Sequence, residues 1–203
     1  MNLRLSTIND AELLLSWRND KLTRSNSFNT DVVSLEDHTD WLIRSLQSTQ
    51  RKIYIAEVNN IPVGTIRLDI NDDSTRELSW TISPTQRGMG YGTSILKTFL
   101  HQFPSTYIAR IKKDNISSIR MVEKNGFVLS DNNDNILTFT RKVTDLEIID
   151  AIQRVRNKNN VNWMDILRIA FTHAPEETRD IFKLITDSDG EIGDLSKLLS
   201  NNG

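Results

Sequence analysis

Cysteine is absent from the 203 residues, and that omission removes disulfides, thiolate metal ligands and a cysteine nucleophile together. Histidine occurs three times, at His38, His101 and His173, too scattered along the chain to propose a metal site. No run approaches the roughly 20 apolar residues that a membrane span needs, and the opening MNLRLSTIND has no apolar h-region; neither signal peptide nor anchor is visible, and a cytoplasmic location is expected. An excess of one charge is also lacking. The formal net charge of −2 argues against nucleic acid as the main partner. Proline and glycine are scarce, at four and eight residues, which makes their placement informative. What remains is 37% hydrophobic content, enough to bury a sizeable core in one large domain or in one ordinary domain with a small addition.

The pattern changes character near residue 143. Before it, strand-like runs (52–58, 63–70, 77–82, 107–111, 136–139) alternate with helical stretches, so this half is mixed α/β. Asn59–Pro62 and Asn71–Ser74 read as hairpin turns, which makes the middle strands antiparallel neighbours, and 130–135 (SDNNDN) reads as a loop between two strands. Beyond 143 the strand signals stop. Thr144-Asp145-Leu146-Glu147 has the form of a capping box, and apolar residues recur at helical spacing (Ile148, Ile152, Val155; Trp163, Leu167, Phe171; Ile181, Ile185; Ile192, Leu195, Leu199), which predicts three or four short helices, one of them restarting at Pro175. Residues 1–142 are therefore expected to form one domain and 143–203 a helical region carrying the acidic excess.

Three of the eight glycines fall within five residues, in PTQRGMGYGT (84–93), between a strand and a helix. A tight turn needs one or two positions of positive φ, so three alternating glycines after an arginine exceed that need. A strand that ends in such a turn and opens a helix aims several unpaired amides and the positive end of a helix dipole at one point, a site for a phosphate or pyrophosphate. The spacing is neither a P-loop nor a dinucleotide fingerprint.

Arg87-Gly88-Met89-Gly90-Tyr91-Gly92 resembles the pyrophosphate loop of the GNAT superfamily of acyl-CoA N-acyltransferases, Arg/Gln-x-x-Gly-x-Gly/Ala, and DNISSIRMVEKNGF (114–127) is similar to that family's second signature, Asn-x-x-Ser followed by Lys-x-Gly-Phe. The resemblance covers residues 3–142. It implies a mixed, mostly antiparallel sheet flanked by helices, in the order strand, two helices, three strands, glycine turn, helix, strand, helix, two strands. It also implies acetyl-CoA as acyl donor. By the same resemblance, the amides of residues 87–92 (Arg87, Gly88, Met89, Gly90, Tyr91 and Gly92) and the Thr93 hydroxyl hold the pyrophosphate, and main-chain groups of Thr81 and Ile82 pair with the pantetheine arm. Asn115 and Ser118 touch the cofactor's other side, and Lys124 either reaches the adenosine phosphates or is a solvated helix residue. Asn115 is equally suited to a helix N-cap.

Acyl transfer to an amine needs a group that removes the amine's proton, and it is often assisted by an acid at the leaving thiolate. The resemblance makes Glu77 the candidate base; the alternative is a strand carboxylate paired with Arg76 or Arg110. The family's tyrosine between Ser118 and Lys124 is missing, with Val122 in the matching place. The N-terminal helices, which in this family wall the acceptor cleft, carry Arg18, Asn19, Arg24, His38 and Trp41. This arrangement is similar to acetyltransferases acting on nucleotide-linked amino sugars of nonulosonate (pseudaminic or legionaminic acid) pathways, and Arg18 and Arg24 would suit a diphosphate. Trp17 and Trp41 also read as core anchors, and His38 also reads as a surface or capping residue. The alternatives are an N-terminal or ribosomal-protein acetyltransferase and a non-catalytic acyl-CoA-binding protein. The implied partners are a small-molecule amine and, through 143–203, a second copy or a pathway enzyme.

Overall fold

Alternation of apolar and polar side chains builds the strands. On β2 (Arg51–Val58), Ile53 and Ile55 point to one face and Tyr54 and Ala56 to the other; β3 (Ile61–Ile70) and β4 (Arg76–Ile82) alternate likewise. With β1 (Asn2–Leu5), β5 (Tyr107–Lys112), β6 (Val128–Asn133) and β7 (Ile136–Arg141) they form a seven-stranded sheet of order β1-β2-β3-β4-β5-β7-β6 in the computed structural model, which describes residues 1–187 apart from 72, 74, 182 and 185. Every pairing is antiparallel except β4 with β5. Asn59 and Asn60, at φ 52° and 64°, make the two-residue turn between β2 and β3 that favours a twisted hairpin.

The helices pack on both faces. α4 (Tyr91–Gln102) and α5 (Ile116–Lys124) cover one face through a core that includes Ile66, Leu78, Phe99, Ala109, Val122 and Phe139. On the other face Ala11, Leu14 and Trp17 of α1 (Ala11–Asn19) and Leu42 of α3 (Leu35–Gln47) close over Ile53 and Ile55. Trp17 is thus a core residue.

Three local expectations change. Between β1 and β2 there are three helices, because the Asp20 carboxylate accepts the Thr23 amide at 3.0 Å and starts a separate six-residue α2 (Lys21–Asn26). Residues 130–133, expected in a loop, are the polar outer part of β6, an edge strand held by main-chain bonds to β7 and exposed throughout. The third concerns the tail, where one 29-residue helix, α6 (Asp145–His173), replaces the first short helices. No glycine or proline between its apolar groups ends it, and a further helical stretch runs from 175 to 181. The capping box is present: Thr144 Oγ1 accepts the Glu147 amide at 3.3 Å, and the Glu147 carboxylate accepts the Thr144 amide at 3.0 Å. Ile185, Ile192, Leu195 and Leu199 lie outside the described residues, as do the side chains of Trp163 and Leu167.

The chain divides into two compact units, Met1–Ile148 and Ile149–Gly203. In the second, Ile149, Ile152, Val155, Ile166 and Ile169 are exposed. Among the described residues no helix is long and apolar enough to cross a membrane.

Candidate active site

The glycines have two different causes. Gly88 and Gly90 sit at φ 80° and 79°, in the left-handed region that side-chain-bearing residues avoid, and a Cβ on either would meet nothing within 4 Å. Open space lies over both. Gly92 has ordinary φ, but a Cβ there would come within 2.8 Å of Met121 Sδ, so its role is close packing of α4 on α5. Gly90 is the N-cap of α4, and the Ser94 amide closes the first turn on its carbonyl at 3.2 Å. The preceding amides, of Tyr91, Gly92 and Thr93, have no partner within the helix and point out of its positive end. Met89, between the two left-handed glycines, is exposed.

Beside this loop the sheet opens. β4 and β5 pair directly only at Glu77 and Ile108, so the edge of β4 that faces β5 is unpaired towards Thr81 and Ile82. The opposite edge is satisfied, with Thr81 opposite Thr65 and Ile82 opposite Gly64 on β3. A free strand edge running into a helix N-terminus can take an amide-bearing arm as an added strand and an anion at its end. Across the opening stands α5. Asn115 caps it, Oδ1 accepting the Ser118 amide at 3.2 Å, and Ser118 Oγ accepts the Trp80 indole N–H at 3.2 Å. Both keep spare donors, the Asn115 amide N–H groups and the Ser118 hydroxyl proton. Lys124 is exposed at the end of the helix. These residues fit an acyl-CoA: a bare left-handed loop with space above it, outward amides and an open strand edge.

Glu77 lies at the point where β4 and β5 part, on the face covered by α1 and α3. Its carboxylate accepts two bonds from Arg110 on β5, at 3.0 and 2.7 Å, so of the two partners read from sequence the strand neighbour Arg76 is not used. Arg76 reaches Ser105 instead. Phe28 lies over the Arg110 guanidinium at 5.9 Å. Next to Glu77 in register is Asp69, which accepts from Arg51 at 2.5 Å and from Arg67 at 2.6 Å. Arg110 was read from sequence as one of two possible partners of Glu77; none of Phe28, Arg51, Arg67 and Asp69 was singled out. The signal was the charged residues alternating with apolar ones on β3 and β5, but their meeting depends on strand order. Beyond Asp69, at the end of β3 far from the glycine loop, a cleft of about 400 Å³ is lined by Trp41, Arg44, Ser48, Gln50, Arg51 and Asp69 among others.

No tyrosine stands at α5; Val122 is fully buried in the core. The Tyr107 hydroxyl donates to the Phe103 carbonyl at 2.6 Å and is pushed up to about 12, chiefly by burial, which makes it a structural group. Tyr91 is partly buried at the first turn of α4.

The N-terminal residues expected to meet the acceptor are mostly turned to another task. Arg18 Nη2 donates to the Asn29 carbonyl at 2.9 Å, Arg24 donates to the carbonyls of Asn19 at 3.2 Å and Thr30 at 3.1 Å, and the Asn19 amide makes two bonds to the Val33 main chain at 2.8 and 2.9 Å. Together they staple the 27–34 loop, Arg18 and Arg24 through main-chain oxygens. His38, expected at a surface, a cap or a ligand, is buried instead, its ring 5.3 Å from that of Trp41. Its Nε2 and Arg18 Nη1 are buried without partners, and burial first, then Arg18, holds the imidazole below its usual value. Trp41 also lies under the Arg51 guanidinium at 5.8 Å. Among the described residues no group of three His, Asp or Glu is placed to hold a metal ion.

Solved structures share this fold. A ribosomal-protein-alanine N-acetyltransferase from Brucella melitensis matches at 21% identity and TM-score 0.59, over 70% of this chain and 100% of that one. A spermidine N-acetyltransferase from Vibrio cholerae, solved with CoA and spermine, matches at 14% identity and TM-score 0.62, over 70% and 95%. An aminoglycoside acetyltransferase, AAC(6')-Ib, solved with coenzyme A, matches at 21% identity and TM-score 0.59, over 76% and 98%. At these identities the likeness establishes the fold and leaves the acceptor open. No curated protein sequence matches the chain. The acetyltransferase (GNAT) domain family does match, over residues 1–128, well over half the chain and including the glycine loop, the open strand edge and α5; the protein belongs to the GNAT acetyltransferase family and is an acyl-CoA-dependent N-acyltransferase that uses acetyl-CoA.

Proposed function

We propose that the enzyme acetylates a primary amine on an anionic acceptor, of the kind represented by a nucleotide-linked amino sugar. The observation that carries this reading is the charge of the sheet face bearing Glu77. Arg51, Arg67 and Arg110 face two carboxylates, Asp69 and Glu77, and exposed Arg44 stands at the adjoining cleft. Such a face repels a polyamine or an aminoglycoside and attracts a diphosphate. The arginines suited to the acceptor are thus on the sheet and α3, not Arg18 and Arg24.

In this reading the amides of 87–92 and the Thr93 hydroxyl hold the pyrophosphate of acetyl-CoA, Thr81 and Ile82 pair with its pantetheine arm, and Asn115, Ser118 and Lys124 line its other side. Acetyl-CoA supplies the activated thioester. Glu77, fixed in orientation by Arg110, takes the proton of the attacking amine directly or through one water. A main-chain amide on the unpaired edge of β4 supplies a donor for the oxyanion, and the thiolate leaves without a tyrosine from α5. Residues 1–142 carry this chemistry. The region from 143 on, with its exposed apolar residues, serves association with a second copy or a pathway enzyme, which light scattering of a chain shortened after Ile148 would show as a smaller assembly.

The test is a thiol-release assay with acetyl-CoA and four amines: a uridine-diphosphate amino sugar, an Ala-Arg peptide, spermidine and an aminoglycoside. The nucleotide sugar is expected to give the highest kcat/KM, with a rate that falls as salt rises. A preference for the peptide or a polycation overturns the acceptor, and release with none of them overturns it too, by placing the acceptor outside these four classes.

A further inference from the structure

Arg87 opens the glycine loop, yet its guanidinium turns away from it. Nη2 donates to Asp20 Oδ2 at 2.5 Å and to Thr23 Oγ1 at 2.8 Å, so the side chain ends on the first turn of α2. That helix is six residues long and has no buried residue. Neither length nor packing makes it stable alone. It is held at its ends. At its start Asp20 is at once the N-cap and the partner of Arg87; at its end Lys112 Nζ of β5 donates to the Ser25 carbonyl at 2.9 Å, and just beyond, Phe28 rests on Arg110. Arg87 follows the end of β4, while Arg110 and Lys112 lie on β5, on the same face as Glu77. These are the two strands that diverge beyond Glu77 and Ile108. α2 therefore straps the opening from one arm to the other, anchored at the glycine loop on one side and above the Arg110–Glu77 pair on the other.

We propose that Arg87 and Asp20 are positioning residues: their ion pair makes the order of α2, and through Phe28 and Arg110 the setting of Glu77, depend on whether acyl-CoA occupies the glycine loop. The enzyme assembles its acceptor wall only after the donor is bound. A weakly packed, end-held helix belongs to the least stable part of a fold and has the two states, ordered and frayed, that such coupling requires. The loop that Arg87 opens has both φ-positive glycines exposed, so ordering it on binding tightens the anchor of α2. The inference rests on acyl-CoA lying at the glycine loop and not on the identity of the acceptor.

Hydrogen exchange of the full chain, with and without coenzyme A, tests it. In the unaltered protein coenzyme A is expected to slow exchange both at 88–94 and, by about tenfold or more, at 21–28. Asp20→Asn keeps a good N-cap but loses the ion pair, and Arg87→Met loses it from the other side. Asp20→Asn should bind coenzyme A within a few-fold of the original and still protect 88–94, and in both variants protection at 21–28 should disappear; Arg87→Lys should restore part of it. A merely structural role would speed exchange at 21–28 in both states and keep the difference between them. Protection of 21–28 that persists in both variants, or that is absent from the unaltered protein, overturns the link. A loss of affinity of about 100-fold in Arg87→Met alone overturns it too, by making Arg87 a donor ligand. Absent protection at 88–94 in the unaltered protein instead overturns the placement of the donor.

Discussion

The two sides of the opening between β4 and β5 are built from different materials. On the side proposed for the donor the groups are main chain: amides at the start of α4, two glycines held at positive φ and a strand edge without a partner. On the side proposed for the acceptor they are long side chains, joined across strands (Arg110 to Glu77, Arg51 to Asp69), along one strand (Arg67 to Asp69) and from helix to loop (Arg18 and Arg24 to the 27–34 carbonyls). A main-chain site is fixed by a few conformations and changes little while the fold persists. A side-chain site can be altered one pair at a time without disturbing the sheet. The difference accounts for a family that keeps one donor and varies the acceptor.

On the main-chain side the largest effect is expected at Gly90. A β-branched residue cannot take φ 79° without strain, and a side chain there stands in the space above the loop. Gly90→Val is expected to weaken acetyl-CoA binding by about 100-fold or more, close to 3 kcal/mol by calorimetry, in a protein that keeps its circular dichroism. Gly92→Ala is the contrast. Its Cβ meets the flexible Met121 thioether, so it should cost about 1 kcal/mol of stability and leave binding within a few-fold. Equal losses from both would mean that close packing, and not backbone conformation, governs the donor side.

On the acceptor side the largest effect is expected at Glu77. Glu77→Gln should leave acetyl-CoA affinity intact and lower kcat by roughly 10²- to 10⁴-fold, the contribution of a positioned acid or base. The pH profile separates two roles. A loss recovered at high pH identifies a base whose task water takes over; a pH-independent loss identifies a carboxylate that matters for holding Arg110. An unchanged kcat would remove Glu77 from the chemistry.

The same division decides what could be read from sequence. Gly88 and Gly90 were legible because a backbone at positive φ leaves its mark at the residue itself. Five strands were legible from their apolar runs; the four-residue β1 entered only through the family's order of elements, and β6 was missed in its outer half, which is polar because an edge strand needs only main-chain bonds. Arg18 and Arg24 were legible as cations but not in purpose, since the carbonyls they meet arrive through a loop whose course no local pattern announces. Arg110 was legible as one of two cations for Glu77, but the choice between it and Arg76 rests on the parallel placement of β5 beside β4, 33 residues further along the chain. α2 was hidden within an apparently continuous helical stretch until Asp20 was seen to cap it.

The smallest effect is expected at His38, on the wall made by α1 and α3. The ring is buried behind Trp41, its Nε2 has no partner, and burial together with the nearby Arg18 charge holds its pKa below the ordinary value. The folded chain therefore refuses a proton that the unfolded chain accepts from about pH 6.5 downward. Stability must fall with pH through the window between that value and the lower folded one, and it is unaffected at higher pH, where both states carry a neutral ring. His38→Gln cannot take up the proton. Between pH 7.5 and 5.5 its Tm should fall less than that of the original protein, with about 2–4 °C of difference for each kcal/mol in a chain of this size. His101 and His173 remain in both proteins, so the difference isolates His38. Parallel curves would mean that the imidazole finds a partner when protonated, and that the wall made by α1 and α3 is not sensitive to acid at this point.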